Sequence, residues 1–207
     1  MRSVTPFYPV SLNLQGRRCV VIGARDDREA VEKATALEES GADLLWLTDP
    51  SAVVEEDLRD AFFVISTPQD ERLSARLREY ADRHRFLLCC IDQPRYGFVA
   101  MAAIAKAGPV RVSVSTTGLA PRVGKNLKVA LQRAMDGTFE RFIECLATQK
   151  ERIKRRYRSA EQGGLRRKEM IRVADGFDAE VRFIYPDWFE EELALSFAPQ
   201  VIDDEQR

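Results

Sequence analysis

The sequence predicts an α/β chain built on a doubly wound, mostly parallel sheet. Short apolar runs at Cys19–Ile22, Leu44–Leu47, Phe62–Ser66 and Phe86–Ile91 read as buried strands. Stretches with helical spacing of apolar residues follow the first and the third of these runs. Strands alternating with helices of that length argue for parallel pairing, with helices on both faces.

A chain of 207 residues has room for one α/β domain plus an appendage, or for two small domains. Its 45% hydrophobic and 31% charged residues are ordinary for a globular protein. A net charge of -1 carries no overall signal for nucleic acid or membrane, so any electrostatic signal must be local. No run reaches the roughly 18 apolar residues of a membrane span. The start, MRSVTPFYPV, is broken by Pro6 and Pro9 and lacks a signal-peptide core, so a cytoplasmic location is the default. Cys19, Cys89, Cys90 and Cys145 show no C-x-x-C spacing and are expected to be small buried hydrophobes. Cys89 and Cys90 are adjacent on a strand, so they point to opposite faces. With His84 as the single histidine, no metal site is expected.

Tyr8–Leu14 alternates like a short edge strand, and Gln15-Gly16 turns into the first central strand. Gly23 then opens a turn before a helix with Ala30, Val31, Ala34 and Leu37 on one face. Asp26 or Asp27 can cap that helix, and Gly41 ends it. After the second strand come Thr48-Asp49-Pro50 and a short acidic connection, Ser51–Asp60. Thr67-Pro68-Gln69-Asp70 leads from the next strand into a helix with Leu73, Leu77, Tyr80 and Ala81 on one face. The strand Phe86–Ile91 ends at Asp92-Gln93-Pro94. Beyond it the rhythm changes. Phe98–Ala105 and Val110–Ser115 read as a hairpin joined at Ala107-Gly108-Pro109. Thr116-Thr117-Gly118 then leads to Pro121, suited to the first turn of a helix. Val123, Leu127, Ala130, Leu131 and Ala134 form that helix's apolar stripe. From Thr138 the chain reads as helical, with Phe139, Phe142, Ile143 and Leu146 on one face and a terminal helix at Asp187–Ala198.

Strand, glycine turn and helix at Arg17–Gly41 open a nucleotide-binding βαβ unit, but G-x-G-x-x-G is reduced to Gly23 followed by Ala24, Arg25, Asp26, Asp27 and Arg28. Asp49, just past the second strand, is either a ribose-binding carboxylate or a turn residue before Pro50. Asp92 lies at the carboxyl end of a central strand, as a general base or as a cap. From Gln93 to Met135 there is no Asp or Glu, while Arg95, Lys106, Arg111, Arg122, Lys125, Lys128 and Arg133 are present. That stretch suggests a polyanionic ligand, or cations that pair with acids elsewhere. Thr116, Thr117 and the amides near Gly118 precede a helix N-terminus, a natural anion-binding end. Gly118–Asn126 is not a P-loop, because five residues separate its glycines and Asn126 replaces the required Ser or Thr. The basic Lys150–Lys168 stretch reads as a solvated helix pair, with no nucleic-acid partner.

YPVSLNLQGRRCVVIG, EKATALEESGA, VISTPQDERLSARL, IDQP, GPVRVSVSTTGLAP and KNLKVALQRAM, taken in order, resemble the precorrin-2 dehydrogenase/sirohydrochlorin ferrochelatase family, also found as the N-terminal module of siroheme synthase. The resemblance spans roughly Tyr8–Leu146, and GPVRVSVSTTGLAP is its most specific part. It implies a Rossmann-like NAD-binding domain over 1–108, a dimerisation segment over 109–148 that interlocks two subunits, and a small C-terminal helical domain over 149–207. The implied reaction is NAD-dependent oxidation of precorrin-2 to sirohydrochlorin, with ferrous iron insertion in some members. A polycarboxylate tetrapyrrole would account for the acid-free stretch.

By that resemblance Asp92 matches the family's essential aspartate. Gly23, Ala24, Arg25, Asp26, Asp27, Asp49, Pro50 and Thr67 would line the nucleotide. Arg95, Thr116, Thr117, Gly118, Arg122, Lys125 and Lys128 would meet the substrate, and no membrane is implied. The chain departs from the family twice. Gly23–Lys33 carries an insertion and keeps only the first glycine, and the connection from Asp49 to Phe62 is short enough to omit the third strand. Pro68 also stands where the family's A-T-D-D has threonine. A chelatase that has lost NAD, or a non-catalytic nucleotide- or tetrapyrrole-sensing module, are the alternative readings.

Overall fold

The structure, a computed structural model, describes residues 7–189. The chain divides into two compact units, Met1–Arg141 and Phe142–Arg207. In the first unit, four parallel strands form one sheet in the order β2-β1-β3-β4, where β1 is Arg18–Ile22, β2 Asp43–Leu47, β3 Phe63–Ser66 and β4 Leu87–Cys90. Among the described residues the sheet stops at β2, so the strand expected to be missing is missing. The connection from β2 to β3 is made by two short 3-10 turns, Pro50–Ala52 and Glu55–Leu58.

Helix α1 (Arg28–Glu39) covers one face of the sheet with Ala30, Ala34 and Leu37, packed with Cys19, Val21, Ile65 and Cys89. Helix α2 (Glu71–His84) covers the other with Leu73, Leu77 and Ala81, packed with Val20, Ile22, Val64, Leu88 and Cys90. The two adjacent cysteines thus enter opposite layers, as strand alternation requires. Val53, Leu58 and Ala61 bring the crossover into the α2 layer, doing part of what a crossover helix would do. Leu77 is fully buried, and its truncation to alanine would cost about 2–5 kcal/mol.

Three expectations change. Residues 8–14 form no strand; most of them are exposed, and only Leu14 reaches the core. Val31 is 40% exposed, because α1 buries a narrow alanine-rich stripe and Val31 sits at its edge. Cys145 is exposed, unlike the other three cysteines.

The hairpin consists of β5 (Ala103–Ala107) and β6 (Val110–Val114), and helix α3 (Pro121–Ala134) packs on it. Ala105, Ala107 and Met135 form a small core there with Val110, Val112, Leu131 and Phe139. Of the rest of the α3 stripe, Leu127 is half-buried and the other positions are not covered. Val123 is 52% exposed, and Ala130 and Ala134 are exposed as well.

Helix α4 (Gly137–Arg156) carries the half-buried Phe139, Phe142, Ile143 and Leu146 as expected. In the second unit Phe142 stacks on Phe177 with ring centroids 5.1 Å apart, and α5 (Gly163–Arg172) follows. A helical turn begins at residue 187, and the remainder of the expected terminal helix lies outside the described residues. No helix of the described residues is long and apolar enough to cross a membrane.

Candidate functional site: the carboxyl edge of the parallel sheet

The chain leaves β1 toward β2 on one side and later places β3 on the other. This reversal opens a crevice at the carboxyl ends of β1 and β3, where open α/β sheets bind ligands. Gly23 and Thr67 stand at its two lips. The Gly23 amide donates to the Leu47 carbonyl at 3.0 Å, and the Thr67 amide to the Ile22 carbonyl at 3.0 Å. A Cβ on Gly23 would lie 2.3 Å from Thr67 Oγ1 and 2.9 Å from the Ala30 Cβ. Glycine is needed here because the opposite lip and α1 close tightly over it.

Asp27, not Asp26, caps α1, accepting from the Glu29 amide at 2.9 Å. Its other oxygen, Oδ2, takes the Thr67 hydroxyl at 2.5 Å. The hydroxyl, helped by the helix amides, holds the Asp27 carboxyl below its ordinary range. Arg25 stacks over Trp46, with its guanidinium carbon 4.1 Å from the ring centroid. Trp46 Nε1 in turn donates to the Gly23 carbonyl at 2.8 Å. Ala24 is half-buried, while Asp26 is exposed and makes none of these contacts.

At the end of β2, Asp49 accepts from the Ser51 amide at 2.9 Å and its hydroxyl at 2.6 Å, and Pro50 starts the 3-10 turn. The Ser51 hydroxyl lowers the Asp49 carboxyl. Asp49 is therefore a turn cap, and it is also exposed at the strand end where a ribose carboxylate belongs.

Hydrogen-bond donors of the kind a dinucleotide's phosphates use stand along this edge. The α1 N-terminus and the Thr67 hydroxyl form a donor set already holding one anion, the Asp27 carboxylate. The Ser66 hydroxyl, fully buried one residue before Thr67, has no hydrogen-bond partner among the described residues. The donor chemistry fits phosphate; the occupant is the chain's own side chain.

Asp92 follows β4 with φ 57, in the left-handed region, and is exposed. Gln69 Nε2 donates to Asp92 Oδ2 at 3.1 Å. The adjacent Gln93 is anchored through Oε1, which accepts from Ser74 Oγ at 2.5 Å. Gly97 packs so closely that a Cβ would lie 3.0 Å from the Leu88 carbonyl, drawing the loop back against β4. One carboxylate is thus presented at the sheet edge, next to the turn that contains Thr67.

The acid-free stretch resolves into two groups. Arg95 pairs with Glu71, Lys106 pairs with Glu39 at 2.8 Å, and Arg111 donates to the Gly108 and Val110 carbonyls of its own turn. Arg122, Lys125, Lys128 and Arg133, all on α3, have no ion pair among the described residues. Thr117 and Gly118 take positive φ before α3, whose N-terminus has no side-chain cap. Thr116 packs on Gly124, 3.4 Å from where its Cβ would be. No hydrogen bond or ion pair among the described residues links this turn to the Asp92 loop.

Trp46 and Gln69 were not anticipated from the sequence. A signal existed for Gln69: β3 and β4 pair with Ser66 opposite Cys90, so the turns after them run side by side. Among the described residues no group of acids, cysteines and histidine could hold a metal ion.

Comparison with known proteins agrees with this architecture. A family described as "Putative NAD(P)-binding" matches residues 10–103. Siroheme synthase of Hahella chejuensis (strain KCTC 2396) is 25% identical over 196 residues, covering 86% of this chain and 41% of that protein. Siroheme synthase of Nitrosospira multiformis (strain ATCC 25196 / NCIMB 11849 / C 71) is 28% identical over 214 residues, covering 90% and 44%. Precorrin-2 dehydrogenase of Bacillus subtilis (strain 168) is 32% identical over 87 residues, covering 42% and 53%. The chain thus spans less than two thirds of the length of these curated relatives. The solved structure of SirC, precorrin-2 dehydrogenase, shares the fold with a TM-score of 0.66 at 18% identity, over 82% of this chain and 90% of that one. The β1–β3 reversal, the hairpin with its following helix and these matches agree: the chain carries a stretch that matches a putative NAD(P)-binding family, and over most of its length it is similar to siroheme synthases and shares the fold of a precorrin-2 dehydrogenase.

Proposed function

We propose that the chain oxidises precorrin-2 to sirohydrochlorin in siroheme biosynthesis, with NAD as the oxidant. The observation that carries this reading is the shared sheet edge, where the donor set of the α1 N-terminus and Thr67, at the ends of β1 and β3, and the Asp92 carboxylate, past the end of β4, lie along the same carboxyl side. When bound, the nicotinamide ring supplies a hydride acceptor. Removing two hydrogens from precorrin-2 then leaves a proton, and Asp92, an exposed carboxylate of this edge, takes it. Gln69 holds that carboxylate at Oδ2. Gly23, Ala24, Arg25, Asp26, Asp27, Asp49, Pro50 and Thr67 border the nucleotide. Arg122, Lys125 and Lys128 on α3, with Thr116, Thr117 and Gly118, meet the substrate's carboxylates, and Arg95 joins them if it exchanges Glu71 for substrate.

The uncovered part of the α3 stripe supports a homodimer, in which a second copy covers Val123 and the 71% exposed Leu119. Light scattering on the purified chain tests this: twice the monomer mass is expected, and a monomer at assay concentration would refute it. The dimer would also explain why one chain leaves the α3 turn unlinked to Asp92.

The test of function is incubation with precorrin-2 and NAD, following NADH and sirohydrochlorin together. Equal yields of both are expected. A second reading, a chelatase without NAD, draws support from Asp27 filling the seat of a phosphate. Ferrous-iron-dependent spectral change of sirohydrochlorin, with no NADH formed from precorrin-2, would favour that reading.

A further inference from the structure

The Asp27 carboxylate accepts from the Glu29 amide at 2.9 Å and from the Thr67 hydroxyl at 2.5 Å. These are donors of the α1 N-terminus and of the facing lip of the crevice, where a dinucleotide's pyrophosphate rests in doubly wound sheets. Two anions cannot share one small donor set without strong mutual repulsion. Asp26, next to it, carries the same charge but is exposed and takes no donor.

We propose that Asp27 is an internal competitor for the cofactor's phosphate, and that its displacement sets this chain's affinity for the dinucleotide. The inference rests on the proposed dinucleotide site. Binding swings the Asp27 carboxylate out, and the Glu29 amide and Thr67 hydroxyl pass to a phosphate oxygen. The helix loses its side-chain cap in that step and regains an anion at the same end. Arg25, the longest side chain of the turn, is held meanwhile in its stack on Trp46.

Asparagine is as good an N-cap as aspartate, and its amide oxygen can accept from the same donors without the charge. Asp27→Asn therefore removes the competition while keeping α1 capped. Calorimetric titration of NAD into the full chain should show Asp27→Asn binding about tenfold tighter or more. Glu32→Gln, which removes an exposed charge of the same helix outside the nucleotide residues, should bind within about threefold of the parent. Thermal melting should show both variants folded; if Asp27→Asn is not, Asp27→Ser retains a neutral cap and takes its place. Equal or weaker NAD binding by the neutral variant overturns the proposal while leaving the cofactor reading intact. An equal gain from Glu32→Gln also overturns it, because the effect is then a general field. Absence of NAD binding in parent and variants alike overturns the cofactor reading and the proposal with it.

Discussion

Gln69 and Asp92 are joined side chain to side chain, Nε2 to Oδ2 at 3.1 Å, across the two turns that follow β3 and β4. The β3–β4 register sets those turns side by side. Asp92 holds a left-handed φ of 57, which an aspartate tolerates better than most residues. One neutral donor thus fixes the carboxylate, leaving the loop to present it.

Gln69→Ala should lower kcat with little change in KM, because Gln69 acts through Asp92 and touches no substrate. A hydrogen bond to a charged group contributes about 1.5–3 kcal/mol when well shielded; for this exposed pair about 1 kcal/mol is reasonable, or roughly fivefold in rate. Asp92→Asn should lower kcat by at least about a hundredfold. Steady-state kinetics on both variants check this, and full activity in Asp92→Asn would remove Asp92 from the reaction.

Gly23→Ala should destabilise the first unit by about 1–3 kcal/mol, since the added Cβ lands 2.3 Å from Thr67 Oγ1. Combining it with Thr67→Ala removes the closest clash. Denaturant unfolding of the two variants should therefore show a double mutant less impaired than the sum of the singles.

Replacing Arg122, Lys125 and Lys128 with glutamine should raise KM for the tetrapyrrole and leave NAD binding unchanged. The parent's KM should climb with ionic strength and the triple variant's much less, because the interaction removed is between exposed charges. Salt titration of the initial rate is the check.

The crossover that replaces a strand is tied down by Glu55, which meets His84 Nε2 at 2.6 Å and Arg83 at 2.5 Å. The hydrogen bond with His84, then Arg83, lowers the Glu55 carboxyl below its ordinary value. Fewer protons are bound by Glu55 in the folded chain than in the unfolded chain just below that ordinary value. The stabilisation is thus present above the unfolded pKa and is lost as pH falls through the folded one. Glu55→Gln should flatten the fall of melting temperature between about pH 5 and 3. An unchanged acid slope would mean that this link contributes nothing.

Much of the fold could be read from periodicity alone. The Ala30, Ala34, Leu37 stripe and the opposed Cys89 and Cys90 depend on local spacing that a short window contains. Tyr8–Leu14 alternates equally well yet pairs with nothing, because alternation records amphipathicity and not the presence of a neighbouring strand. The α3 stripe illustrates the same limit, with Leu131 covered by the hairpin and Val123 left open. The places of Gly23 and Asp92 just past strand ends were legible from the same runs. The Thr67–Asp27 and Gln69–Asp92 bonds were not, since each joins turns 40 and 23 residues apart whose meeting depends on sheet register. Trp46 was hidden for a related reason: its role as a brace for Gly23 and a platform for Arg25 arises only once β2 lies beside β1.

The central claim is that one sheet edge unites a dinucleotide seat with the Asp92 carboxylate for oxidation of precorrin-2. The most direct measurement is a single-turnover reaction of the parent chain and Asp92→Asn with precorrin-2 and NAD, scored for NADH against sirohydrochlorin. Stoichiometric formation of both by the parent, with NAD still bound but turnover lost in Asp92→Asn, is the predicted result. Sirohydrochlorin formed without NADH, or equal turnover by both proteins, would contradict it.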